Sequence, residues 1–84
     1  MIKDLDIIKV ALESLGYKLV KSEPGSMDSG IVAFSNEEKQ IEITKDRSQW
    51  MLAGPKDELE PIGLWRAFDD THEFKDALVR YIKA

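Results

Sequence analysis

The residues of this sequence best suited to chemistry surround its single histidine. His72 lies in the run Asp69-Asp70-Thr71-His72-Glu73, and a histidine among carboxylates is typical of a metal site or a general acid–base pair. The run is also typical of a helix start, because Asp70 can cap the helix and Glu73 follows at the capping-box position. Neighbouring helical side chains point in different directions, so these groups do not converge. We therefore interpret the run as a helix start.

No other residues in the sequence form a recognisable catalytic or metal-binding set. There is no cysteine, which excludes disulfides, thiolate nucleophiles and cysteine-ligated metals. The serines do not stand in a strand-turn-helix elbow, and the stretch PGSMDSG at 24–30 lacks the spacing of a phosphate-binding loop. We predict no catalytic residue, no metal site and no cofactor. A minimal hydrolase that uses His72 with Asp69 or Glu73 is the last-ranked alternative.

The two tryptophans indicate either core packing or a protein interface. Core packing is the ordinary role of a tryptophan in a small domain, and it is the first interpretation for both Trp50 and Trp65. Trp and Arg also dominate the energetics of protein interfaces, and Arg66 directly follows Trp65 in the segment GLWRAF at 63–68. Both interpretations stay open. The second makes Trp50, Trp65 and Arg66 candidate partner-binding residues.

Acidic residues stand on both sides of the GLWRAF segment. Asp57, Glu58 and Glu60 precede it, and Asp69 and Asp70 follow it. A solvated surface is the ordinary explanation for such residues. Negative charge around an aromatic centre is, however, the composition expected of a surface that captures a basic protein. These five carboxylates are therefore further candidate partner-binding residues.

Length and composition limit the remaining possibilities. A chain of 84 residues, of which 43% are hydrophobic, predicts a single domain over 1–84 with one modest core. Twelve basic and sixteen acidic residues give a net charge of −4, which disfavours nucleic acid as a partner and favours a basic protein. No apolar run is long enough to cross a membrane. The lack of cysteine and of a signal-peptide pattern predicts a cytoplasmic protein.

Two amphipathic helices are predicted near the ends of the chain. The first covers about Lys3 to Leu15, because apolar residues recur there at three- and four-residue spacing and Gly16 follows as a helix terminator. The second begins after Asp70. Its apolar stripe consists of Phe74, Ala77, Leu78, Tyr81 and Ile82.

Short strands are predicted between the two helices. Ile41 and Ile43 alternate with polar neighbours, which is typical of a strand with one buried face. The predicted strands are Tyr17–Lys21, Gly30–Phe34, Gln40–Thr44 and Ser48–Ala53. The stretch Gly54–Gly63 is predicted to be a loop, and 62–68 is either an edge strand or an irregular packed segment.

The order of these elements predicts the fold class. Strands joined by short polar loops form an antiparallel meander, and two helices with one apolar stripe each need a surface to pack on. One face of the sheet supplies that surface. We therefore predict an α+β fold, a two-layer sandwich of about four antiparallel strands with an N-terminal and a C-terminal helix, in the order α-β-β-β-β-α.

Three stretches of the chain carry a resemblance to a known class of proteins: the helix-to-strand start ALESLGYKLV, the meander IEITKDRSQWML and the acidic segment GPKDELEPIGLW. In these stretches the chain resembles the small, acidic, cysteine-free immunity proteins that accompany bacterial polymorphic toxins, including contact-dependent growth-inhibition systems. The resemblance implies a stoichiometric inhibitor of a cognate basic toxin, often a nuclease. It implies that acidic side chains occupy the toxin's phosphate-binding cleft or a neighbouring surface.

Two predictions about assembly follow. A tight-binding inhibitor without chemistry of its own is expected to be a monomer or a weak homodimer when its partner is absent. The alternative is a structural or regulatory accessory domain that associates with itself through a sheet edge or an exposed aromatic face.

Overall fold

The computed structural model of the chain describes residues 2–83. Its elements, in chain order, are helix α1 (Leu5–Ser14), strands β1 (Lys18–Pro24), β2 (Gly30–Ser35), β3 (Gln40–Asp46) and β4 (Gln49–Leu52), the short helix α2 (Lys56–Leu59), a 3-10 turn (Glu60–Ile62) and helix α3 (Thr71–Lys83). The four strands pair antiparallel in the order β1-β2-β3-β4. The predicted α+β fold with an antiparallel meander is thereby confirmed.

The two long helices pack on one face of the sheet. Ile41, Ile43 and Lys45 of β3 are buried, whereas Glu42 and Thr44 between them are partly exposed. The buried face joins α1 and α3 in one hydrophobic core. Its largest fully buried side chains are Trp50, Phe34, Phe68, Phe74, Ile8, Leu12, Ile43, Leu59, Leu64, Leu78 and Val32. Each buried side chain of this kind stabilises the fold by about 1.5–3 kcal/mol.

Helix α1 is terminated by Gly16, the residue that the sequence indicates. Gly16 has a φ of 90°, a left-handed conformation that glycine adopts without steric cost. Its N–H donates to the Glu13 carbonyl at 3.1 Å, and the N–H of Tyr17 donates to the Leu12 carbonyl at 3.0 Å. This pair of hydrogen bonds forms a Schellman motif, which turns the chain toward β1 with the Tyr17 side chain buried.

The stretch between β4 and α3 contains regular structure that the sequence analysis missed. Residues Lys56–Leu59 form α2 and Glu60–Ile62 form the 3-10 turn, so the prediction of a loop over Gly54–Gly63 is wrong for these residues. Leu59 is the buried residue of α2, and one buried residue gives no apolar periodicity from which a helix could be predicted.

Segment 62–68 closes one edge of the sheet without forming a strand. Trp50 in β4 and Phe68 exchange both backbone hydrogen bonds, and each is 2.8 Å long. Of the two alternatives for this segment, the irregular packed segment is the observed one. At the opposite edge, β1 borders no second strand within residues 2–83. It runs to Pro24, beyond its predicted end at Lys21.

An ion pair between a buried lysine and a partly exposed aspartate holds the chain that leads into α1. Lys45 is 3% exposed, and its ammonium group lies 3.0 Å from Asp28 Oδ2 and donates to the Lys3 carbonyl at 2.7 Å. Asp28 Oδ1 accepts from the Lys3 N–H at 2.8 Å, and Asp28 Oδ2 accepts from Ser48 Oγ at 3.1 Å. The Lys3 backbone hydrogen bond, with the contacts from Lys45 and Ser48, lowers the pKa of Asp28 below its ordinary value of 3.8.

Candidate functional site

The run around His72 forms the start of α3. Asp70 Oδ1 accepts hydrogen bonds from the backbone N–H groups of His72 at 2.8 Å and Glu73 at 3.1 Å, which confirms the predicted cap. The side chain of Glu73 forms an ion pair with Arg66. The Glu73 side chain therefore joins the preceding segment to the helix instead of completing the predicted capping box, and Asp70 is the residue that caps α3.

The cap leads to a prediction about stability. Asp70→Ala leaves two N–H groups of the first helical turn without their acceptor, and we expect it to lower the free energy of unfolding by about 1 kcal/mol. Asp69→Ala is the matched control, because Asp69 accepts one hydrogen bond from the Gln49 side chain and caps nothing. Urea denaturation of both variants measures the difference. Equal losses would contradict the capping role of Asp70.

Trp50 belongs to the core. Its side chain is fully buried, stacks on Phe74 at 5.7 Å between ring centroids and donates from Nε1 to Thr71 Oγ1 at 2.9 Å. The ammonium group of Lys45 lies 4.6 Å from the centre of its ring. A partner cannot reach this ring without opening the fold, so the structure corrects the prediction that Trp50 is a partner-binding residue.

Trp65 has the opposite environment, since its side chain is 45% exposed. Its neighbours Leu64 and Phe68 are buried and fix the backbone on either side of it. Gly63 has a φ of 78°, and this left-handed turn separates Ile62, which is 50% exposed, from Leu64. We call the exposed side chains of Ile62 and Trp65 the Trp65 surface.

Arg66 is held against the body of the domain. Its guanidinium lies 3.7 Å from the centre of the Phe68 ring and pairs with Glu73, while the side chain remains half exposed. Stacking of a guanidinium on an aromatic ring stabilises by about 0.5–2 kcal/mol. Arg66 thus lies beside the Trp65 surface with its positive charge compensated by Glu73.

The predicted acidic residues form two groups at opposite ends of α3. Glu58 Oε1 accepts a hydrogen bond from the Tyr81 hydroxyl at 3.0 Å, which places α2 beside the C-terminal half of α3. Asp69 and Asp70 lie at the N-terminal end of the helix, next to Thr71. The ten helical rises from Thr71 to Tyr81 span about 15 Å. The acidic residues therefore do not converge on one point.

The Trp65 surface lies along α3 between these two groups. A shallow cavity of about 300 Å³ is lined by Ile62 together with Ala77, Arg80 and Tyr81, which places Ile62 near the C-terminal half of the helix. Arg66 contacts Glu73 near the beginning of α3. Segment 62–66 thus runs antiparallel to α3, and its exposed apolar side chains lie between the two acidic groups.

The charges of this region are mostly uncompensated. Among the described residues, Asp57, Glu58, Asp69 and Asp70 have no Lys, Arg or His nitrogen within 4.0 Å. Glu60 lies 3.8 Å from Lys56, and both side chains are more than 60% exposed, so solvent screens this pair. Burial and the hydrogen bond to Glu58 raise the pKa of Tyr81, so its hydroxyl keeps its proton and remains a donor at neutral pH.

Ile62 and Tyr81 are site residues that sequence reasoning did not assign. Tyr81 matched the apolar stripe of the last helix, and that pattern does not reveal that its hydroxyl reaches Glu58. Ile62 looked like any apolar residue of an irregular segment. The glycine that follows it is the one signal that could have placed its side chain outside the core.

The described residues offer neither a metal site nor a membrane span. Within residues 2–83, no group of three or more His, Asp or Glu side chains is arranged to hold a metal ion. None of the helices in that part of the chain combines the length and the apolar character needed to cross a bilayer. A cavity of about 500 Å³ lies between α1 and β1, away from the Trp65 surface.

Comparison with known proteins assigns no family. No family model, no curated protein and no solved structure matches this chain significantly.

Proposed function

We propose that this chain is a non-catalytic inhibitor that neutralises a basic protein, of the immunity type, by stoichiometric binding. The observation that carries the proposal is the exposure of Trp65 and Ile62 between two groups of carboxylates, of which only Glu60 lies within 4.0 Å of a cationic side chain among the described residues. In a typical protein interface, large apolar side chains at the centre supply most of the affinity, and charged side chains at the rim contribute to specificity.

The charges define the kind of partner. An acidic protein with a net charge of −4 attracts a basic surface over about one Debye length, near 8 Å at physiological salt. The basic surface expected to bind here is a toxin's nucleic-acid-binding surface, which is built to attract phosphate groups. In the inhibited complex, the carboxylates at both ends of α3 then occupy positions that phosphate groups take when the toxin binds nucleic acid. The resemblance of the chain to immunity proteins supports this choice of partner.

Replacing Trp65 tests the apolar centre. Trp65→Ala is expected to weaken the complex with the cognate basic protein by about 2 kcal/mol or more, about 30-fold in Kd. The loss should appear mainly as faster dissociation, because a buried aromatic contact forms after the encounter. Surface plasmon resonance with the purified partner measures both rates.

The control for that experiment is Val10→Ala. Val10 on α1 is 66% exposed and lies outside the Trp65 surface, so its truncation should leave Kd unchanged. An unchanged Kd for a folded Trp65→Ala variant would remove Trp65 from the interface.

Reversing the acidic residues near α2 tests the electrostatic part. The triple change of Asp57, Glu58 and Glu60 to lysine is expected to lower the association rate at least tenfold at low salt and much less at 0.5 M salt. Dissociation should change little, because rim charges act mainly on the encounter. Stopped-flow association rates at several salt concentrations check this, and a rate insensitive to both salt and reversal would contradict steering by these residues.

A further inference from the structure

Within residues 2–83, strand β1 leaves backbone hydrogen-bonding groups open along one edge of the sheet. The N–H of Gly25 donates to the Ser29 carbonyl at 2.8 Å, in the register that pairs Pro24 with Gly30. Because hydrogen-bonded and non-hydrogen-bonded pairs alternate in an antiparallel ladder, both backbone groups of Ser22 and the carbonyl of Pro24 point away from the sheet. Open groups of this kind pair with an extended chain.

The helix-covered side of this edge is incompletely filled. The cavity of about 500 Å³ between α1 and β1 is lined by Ile2, Lys3, Asp4, Leu5, Asp6, Lys9 and Leu19. Leu19 is the residue of β1 that lines the cavity. Because Leu19 pairs in register with the buried Phe34, its side chain faces the helices. The next inward residue along β1 is Ser22, which is too small to fill the space. The two lysines and two aspartates of the lining balance in charge, so an apolar side chain fits the cavity best.

The solvent-facing side of β1 has a surplus of positive charge. Lys18 and Lys21 pair in register with Ser35 and Ala33. These two residues alternate along β2 with Phe34 and Val32, whose side chains belong to the hydrophobic core, so Lys18 and Lys21 face away from the helices. Glu23 lies on the same side and contacts Lys21 at 3.4 Å, an exposed and weak pair. The outer side of an added strand therefore meets one net positive charge, in a protein that is acidic overall.

From these features we propose that the open edge of β1 is a second binding surface, which captures an extended acidic segment of a partner polypeptide as a fifth strand. Apolar residues at alternate positions of that segment face the cavity, and acidic residues between them face Lys18 and Lys21. The surface is distinct from the Trp65 surface, which adjoins β4 three strands away, about 14 Å across the sheet.

A second copy of this chain fits the edge poorly. The register of β1 shifts between Leu19 and Lys21, so a copy of β1 paired across a two-fold axis would bring two bulges into one ladder. Centred on Ser22, such a ladder keeps only residues 20–24 in register, and Pro24 at its end has no N–H to donate. A foreign segment carries neither the bulge nor the proline.

Synthetic peptides test the proposal on the intact chain. The probe is a capped seven-residue peptide in which glutamate and valine alternate, and its control has lysine in place of every glutamate. We expect the acidic peptide to bind at least tenfold more tightly than the basic one. Amide shift changes in a nitrogen–proton correlation spectrum should be confined to β1 and the cavity lining, and exchange of the Ser22 N–H should slow at least tenfold at saturation.

Charge reversal on the chain provides the matched comparison. The double variant K18E/K21E should prefer the basic peptide, whereas K56E/K83E, with the same change in net charge at other positions, should keep the wild-type preference. Equal binding of both peptides, shift changes at β4, or no change at 1 mM acidic peptide in a folded chain would overturn the proposal. If, without any peptide, exchange of the Ser22 N–H becomes slower as the protein concentration increases, the occupant of the edge is a second copy of the chain and the proposal is overturned.

Discussion

Replacing Trp50 with alanine is expected to remove about 3–5 kcal/mol from the free energy of unfolding. The ring is fully buried and stacked on Phe74. The structure around a deleted core side chain relaxes only partly, so most of the cavity remains. The change also deprives Thr71 Oγ1 of the hydrogen bond that it accepts from the indole. Small domains are stable by about 5–15 kcal/mol in total, so the variant should be close to unfolding at 25 °C. Urea denaturation followed by circular dichroism measures the loss.

Trp65→Ala is the matched control for this measurement, because it deletes the same side chain at an exposed position. We expect it to lower the free energy of unfolding by less than about 1 kcal/mol, as surface substitutions do. The two tryptophans should thus separate cleanly into one that stabilises the fold and one that is free to bind. Losses of similar size in the two variants would contradict this division.

Replacing Lys45 with alanine is expected to lower the free energy of unfolding by about 3 kcal/mol, which is the lower end of the range for breaking a buried ion pair. The lower end applies because Asp28 is 22% exposed and can regain water when its partner is removed. The hydrogen bond to the Lys3 carbonyl and the contact with the Trp50 ring are lost as well. Thermal and urea denaturation should both report the loss.

Lys45→Met separates the charge from the packing of the side chain. Methionine keeps most of the apolar stem in its buried position, so we expect it to recover about half of the stability that alanine loses. Hydrogen exchange should then show faster opening at the Lys3 N–H, whose acceptor Asp28 has lost its ion pair. Wild-type stability in Lys45→Ala would contradict the anchoring role of the pair.

The fold was predictable wherever one physical signal repeated along the chain. Alternation around Ile41 and Ile43, the apolar stripe of α3 and the glycine after α1 each belong to elements found in the structure. These patterns arise because a half-buried strand or helix presents one face to the core at a fixed period. Such periodic patterns are therefore visible in the sequence of a two-layer domain.

The segment between β4 and α3 was less predictable because its order comes from tertiary contacts. Leu59 and Leu64 are buried, and the backbone of Phe68 pairs with Trp50. None of these contacts repeats along the chain, so propensity alone indicated a loop. Lys45 illustrates the same difficulty: its burial depends on Asp28 in a distant loop, and a lysine in a strand is ordinarily exposed.

The candidate site was predictable in composition and not in arrangement. The sequence places carboxylates on both sides of Trp65, and the structure separates them to the two ends of α3. It also assigns Trp50 to the core and leaves Trp65 at the surface. Two tryptophans in similar apolar surroundings cannot be told apart from one sequence, because exposure depends on how neighbouring elements pack.

The most direct test of the proposed function is a paired capture experiment from cells of the native source. Wild-type chain and folded Trp65→Ala chain are immobilised separately, washed at 0.5 M salt, and the retained proteins are identified by mass spectrometry. We predict that the wild type retains one basic protein at a one-to-one ratio, that Trp65→Ala retains much less of it, and that the protein is active only when released. Recovery of the chain alone as a discrete oligomer, or equal retention by both columns, would contradict the proposed function.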